Sequence, residues 1–162
     1  MSKAIVTATP ATVELDPNLE PFPADWVLSG TPVARSKTLA RSHDLTSHIV
    51  VWECNAGNFH WHYSYDEVII VVSGEAFLLT GKGERRFGPG DIGFFPAGTS
   101  STWRVPDHIR KVAVLRETMW FPFGLALKGW NKLLRIVGLT GKLPTMSAHA
   151  MTAAKTPVNI TS

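Results

Sequence analysis

From about residue 42 to residue 116 the chain alternates short apolar runs with clusters of turn-forming residues. Ile49-Val-Val-Trp52 lies within His48 to Cys54, Val68-Ile-Ile-Val-Val72 within Tyr65 to Val72, and Phe77-Leu-Leu79 within Ala76 to Thr80. Ile92 to Phe95, Ser101 to Val105 and Arg110 to Arg116 follow. Between these runs stand Asn55-Ala-Gly57, Ser73-Gly74, Gly81-Lys-Gly83, Gly88-Pro-Gly-Asp91, Pro96-Ala-Gly98 and Pro106-Asp107, residues that turns select for backbone freedom and local hydrogen bonding. Short strands at this spacing, with little helical periodicity, predict an all-β sandwich or barrel.

The two ends of the chain read differently. Residues 1–18 are rich in Ala, Thr and Pro without periodicity, which predicts a flexible arm. Residues 19–38 carry three prolines, Trp26 and Gly30 and predict an extended wrapping segment with short edge strands. After Met119, Trp120-Phe-Pro-Phe123 reads as an aromatic elbow. Leu125 to Leu139 then reads as an amphipathic helix with Leu127, Trp130, Leu134 and Val137 near one face and Lys128, Lys132 and Arg135 elsewhere. Such a helix docks on the barrel or a second subunit, or lies on a membrane surface; its short length and modest charge favour docking. The division expected is 1–18 arm, 19–118 barrel, 119–140 elbow and helix, and 141–162 loose tail.

Composition narrows the class. A chain of 162 residues that is 44% hydrophobic, with eight phenylalanines and six tryptophans, supports one domain with a sizeable core. The net charge of +3 comes without a long basic run, so nucleic acid is not an expected partner. A lone cysteine, Cys54, excludes an intramolecular disulfide and fits a reducing compartment. Neither a signal-peptide pattern nor a run long enough to span a membrane is visible, and the cytoplasm is the expected location.

The stretch Gly57 to Gly74 holds the candidate chemistry. His60 and His62 are one residue apart, and Glu67 heads the apolar run that ends at Gly74. Strand alternation puts both imidazoles on one face and Trp61 on the other, while Glu67 shares a face with Ile69 and Val71. If that face is the cavity, His60, His62 and Glu67 form an open three-ligand site suited to Fe, Mn, Ni or Zn. Glu67 is then also the candidate catalytic proton carrier. The alternatives are barrel-edge histidines bonded to backbone and a glutamate paired with a cation.

His60-x-His62-x4-Glu67-x6-Gly74 resembles the first motif of the cupin superfamily, and Gly90-x5-Pro96-x-Gly98 resembles the second. Trp52-Glu-Cys54, Asp66-Glu67, Ser73-Gly74-Glu75, Phe95-Pro-Ala-Gly98, Trp103 and Arg110-Lys111 are similar to the single-domain group related to (S)-ureidoglycine aminohydrolase. The resemblance implies a conical jelly-roll β-barrel, a double-stranded β-helix, that forms a homo-oligomer, often a dimer. Where the second motif places a histidine ligand this chain has Ser101, and Cys54 stands where the first motif begins with glycine. The implied centre therefore has three protein ligands to a divalent metal, with Ser101, Trp103, Ile69 and Val71 lining the substrate pocket.

Two functional classes follow. One is a metal-dependent enzyme acting on a small polar or carboxylate-bearing molecule, by C–N hydrolysis as the resemblance implies or, with Fe(II), as a dioxygenase. The other is a small-molecule binding or sensing module without turnover. The fold does not choose between them.

Overall fold

Strands form where alternate side chains can share one buried face and the chain can reverse between them, and both conditions recur here. The computed structural model describes residues 5–118 and 121–137. In chain order these are β1 (Glu20–Pro21), a 3-10 turn (Ala24–Trp26), β2 (Val27–Gly30), β3 (Val33–Arg41), β4 (Ser47–His62), β5 (Asp66–Gly74), β6 (Ala76–Thr80), β7 (Gly83–Phe87), β8 (Ile92–Phe95), β9 (Ser100–Arg116) and α1 (Phe121–Ile136). Every strand pairing is antiparallel, as expected of the predicted all-β barrel.

β4 and β9 are the spine, paired from Ser47 opposite Arg116 to His62 opposite Ser100. Toward Ser47 the spine is flanked by β3 and β5, and toward His62 by β2 and β6. Trp52, Ile69, Val71, Ile109 and Ala113 from the first half share one core with Phe59, Leu78, Trp103 and Val105 from the second. Full burial of an aliphatic or phenyl side chain such as Ile69, Leu78 or Phe59 contributes about 1.5–3 kcal/mol.

The spine is continuous where the sequence predicts turns. Asn55-Ala-Gly57 and Pro106-Asp107 lie inside β4 and β9. There the register shifts: Asn55 faces His108 and Gly57 faces Val105, so three steps along β9 oppose two along β4. Such a bulge bends the ladder and sharpens its twist. Gly57 is required at this corner because a Cβ would lie 2.7 Å from Pro32 Cβ. The bend changes which residues of β4 face the core. Val50, Trp52 and Cys54 point inward before it, and Phe59, Trp61 and Tyr63 after it. β9 keeps one parity throughout, burying Ser101, Trp103, Val105, Ile109, Lys111 and Ala113.

Part of the arm expected to be flexible is fastened down. The Arg110 guanidinium donates to the Pro10 carbonyl at 2.8 Å, to the Val13 carbonyl, and to Glu53 Oε2 at 2.8 Å. The chain then passes over the barrel mouth, where Phe22 packs on Phe59 and Trp26 on Trp61.

The contacts divide the chain after Thr118. In the second unit, α1 starts earlier than the sequence reading: Pro122 occupies its first turn, where a missing N–H costs no intrahelical bond. Leu125, Leu127, Trp130, Leu133 and Ile136 are exposed. No described helix is long and apolar enough to cross a membrane. Trp120, Leu139 and the expected tail from 141 lie outside the described residues.

Candidate functional site

Because β9 buries odd-numbered side chains on both sides of the corner, Lys111 enters the core in the same series as Trp103 and Ile109. Its ammonium donates to Glu67 Oε1 at 2.7 Å, with the two side chains only 4% and 5% exposed. Glu67 leads the inward row of β5, followed by Ile69 and Val71. A carboxylate at that depth is expensive unless a cation partners it, and Lys111 supplies the cation. The ammonium also lies 4.8 Å from the ring centre of Trp52, 4.9 Å from Trp103 and 5.8 Å from Trp61, all within cation–π reach.

A second buried network stands beside it. Trp103 Nε1 donates to the Tyr63 hydroxyl at 2.9 Å, and that hydroxyl shares a 2.7 Å hydrogen bond with Ser101 Oγ. Tyr63 stacks on Phe95 with ring centres 4.6 Å apart. Burial pushes the Tyr63 phenol well above its ordinary range, against the lowering effect of the Ser101 and Trp103 hydrogen bonds. Burial likewise pushes the Cys54 thiol up to about 12. Both groups stay protonated at neutral pH.

The three predicted metal ligands are not brought together. His60 and His62 do share a face, but it is the face away from Glu67, while Trp61 is the residue that packs against the core. His60 Nδ1 lies 3.0 Å from Thr102 Oγ1 and His62 Nδ1 2.7 Å from Ser100 Oγ, pairings with the outward residues of β9. His62 also meets the Trp26 ring at 4.9 Å. The reason is the corner at Asn55–Gly57: the sequence fixes that two histidines share a side, but not which side. Ser101 and Trp103 are in the interior, with Ser101 bonded to Tyr63. Among the described residues no group of three or more His, Cys, Asp or Glu side chains is arranged to hold a metal. The residues present do not fit the metal centre that the motif implies.

Three residues of this site were not singled out as a unit by the sequence: Lys111, Trp52 and Trp61. The signal for Lys111 was its parity with Trp103, flanked by the apolar Ile109 and Ala113. Toward the barrel mouth a cleft of about 130 Å3 is lined by Pro21, Phe22, Trp26, Ala34, Trp52 and Trp61, among others, with Glu20 at its rim.

An antiparallel jelly roll built on two long bent strands, with an enclosed polar centre among aromatics, defines the class: this is a cupin fold. Within it, residues 41–113, a little under half of the chain, match the EutQ-like cupin domain. Among solved structures, the EutQ protein of Clostridium difficile is 20% identical with a TM-score of 0.53, covering 70% of this chain and 88% of its own. A protein of unknown function of the DUF861 family from Pseudomonas syringae is 22% identical with a TM-score of 0.58, covering 64% of this chain and 45% of its own. A cupin-like protein from Thermotoga maritima is 16% identical with a TM-score of 0.51, covering 66% and 81%. No curated protein matches the sequence. At these identities the likeness is one of fold, and the narrower resemblance to (S)-ureidoglycine aminohydrolase gains no support from it.

Proposed function

We propose that this protein is a small-molecule-binding cupin in which the Lys111 ammonium provides the positive charge at the centre of the barrel. The observation that carries the reading is the Lys111–Glu67 contact of 2.7 Å between two side chains that are almost fully buried. Glu67 is committed to a cation of the chain itself, and the two histidines that would join it in holding a metal face the other way. The two interior groups with displaced pKa values, Cys54 and Tyr63, are both moved away from neutrality by burial. Both groups therefore stay protonated, and neither serves as a base at neutral pH.

The test is metal analysis of protein purified without an affinity tag, with thermal melts in the presence of Fe(II), Mn(II), Ni(II) and Zn(II). Sub-stoichiometric metal and an unmoved melting temperature are expected, because a ligand of the native state alone would raise it. Stoichiometric metal that disappears in Glu67→Gln would overturn the proposal in favour of the metal-dependent hydrolase or dioxygenase. Screening ureido acids, keto acids and small aromatics for product formation separates binding from turnover.

A further inference from the structure

All thirteen Asp and Glu residues of the chain lie at or before Glu117. Residues 1–117 set eleven Lys and Arg against those thirteen, a formal charge of −2, whereas residues 118–162 hold five Lys and Arg, no acid, and a charge of +5. At the acidic density of the first 117 residues, the remaining 45 would contain about five carboxylates. Taken alone α1 is modestly charged; the segment that contains it is not.

The apolar side of α1 is broad. At about 100° per residue, Leu125, Leu127, Trp130, Leu133, Leu134 and Ile136 fall within one arc of about 200°, and Lys128 and Lys132 fall outside it. Leu125, Leu127, Trp130, Leu133 and Ile136 are 46–73% exposed. Gly124 and Gly129 weaken the helix from within, so it depends on a surface that covers its apolar side.

Two kinds of surface can do so. A helix packed on protein buries a stripe little more than about 100° wide and gains nothing from a segment stripped of acids. A bilayer interface encloses the lower half of a helix lying in its plane, and the negative potential of anionic lipid acts on every Lys and Arg within about 10 Å. The wide arc and the missing carboxylates both match the second.

We infer that α1 is an interfacial helix that holds the protein to an anionic lipid surface. Its sixteen residues rise about 24 Å, short of a hydrocarbon core of about 30 Å, so it lies in the interface rather than spanning it. A helix about 10 Å across, sunk 5–10 Å below the surface, carries its upper side at the level of the headgroups, where Lys128 and Lys132 meet lipid phosphates. The barrel's ligand and this surface are independent, and the failure of either leaves the other standing.

The test is sedimentation of the full chain with vesicles of phosphatidylcholine alone and of phosphatidylcholine mixed with phosphatidylglycerol, at low and high salt. Binding to the mixed vesicles is expected to be at least about tenfold tighter than to the neutral ones and to weaken at high salt. Lys128→Gln with Lys132→Gln is expected to weaken it roughly 25-fold, about fivefold for each lysine. Leu127→Glu with Leu134→Glu is expected to abolish it. If that pair unfolds the helix, bromine-labelled lipid tails still decide: they are expected to quench wild-type tryptophan fluorescence, and to quench it less in Trp130→Phe. No sedimentation with the mixed vesicles, equal affinity for both kinds, unquenched wild-type fluorescence, or binding that survives Leu127→Glu with Leu134→Glu overturns the inference. A dimer that is lost in this last variant, measured by light scattering, with no vesicle binding by the wild type, overturns it in favour of docking on a second copy.

Discussion

Replacing Lys111 by methionine would remove the ammonium while keeping most of the chain volume, and Glu67 would be left in the core without its partner. At 2.7 Å two unit charges attract by about 6 kcal/mol at an effective dielectric constant of about 20. Desolvating each ion costs several kcal/mol, so the pair contributes little net stability. Removing only one partner exposes the full cost of the other, about 3–5 kcal/mol. Lys111→Met is therefore expected to lower stability by about that amount, moving a urea midpoint by about 2 M for a typical slope. Glu67→Met with Lys111→Met, which removes both charges, is expected to recover most of the loss, so the double variant should be more stable than Lys111→Met alone. The assay is equilibrium urea unfolding of wild type, both single variants and the double variant, followed by tryptophan fluorescence and circular dichroism together. A cost below about 1 kcal/mol for Lys111→Met, or a double variant no more stable than the single ones, would refute the claim that these charges sustain each other.

Other expectations follow from the same interior. Cys54, 1% exposed with its thiol pushed up to about 12, should resist alkylation at pH 8 in the native protein and react at once in urea; comparable rates would refute its burial. Tyr63 and Cys54 both have folded-state pKa values raised above the unfolded ones, so their contribution is complete below about pH 9 and is lost as pH rises through the folded values. Each adds a slope of at most about 1.4 kcal/mol per pH unit. Urea midpoints should therefore fall between pH 9 and 11, less steeply in Tyr63→Phe, and a flat profile would refute this. Gly74→Ala places a side chain at φ +70 with its Cβ 2.0 Å from the His108 carbonyl oxygen; it should cost more than about 2 kcal/mol, read as a lowered melting temperature.

Much of this structure was legible because strands have a period of two. That rule groups Glu67 with Ile69 and Val71, and Ser101 with Trp103, and all five are buried. It also keeps His60 with His62. What it leaves open is the side each group faces, because one irregular residue reverses the answer and Asn55-Ala-Gly57 reads equally as a turn or a bulge. Lys111 was hidden by chemistry rather than geometry. A lysine in a strand is most often a surface residue, and only its partner 44 positions away explains its burial. The fastening of the arm by Arg110 depends on carbonyls of Pro10 and Val13 about a hundred residues upstream, a contact that no local pattern announces.

The corner at Asn55–Gly57 has a consequence for how such chains are compared. A motif is a string, and aligning strings preserves spacing while ignoring handedness about the strand axis. Two proteins can match at both histidines and the glutamate and still differ as a glove differs when turned inside out, one presenting imidazoles to its interior and the other indoles. A single insertion or deletion upstream of Phe59 is enough to convert one into the other. The informative feature in an alignment of such chains is therefore the number of residues between Cys54 and Phe59, which says whether the matched histidines look at a guest or at the solvent.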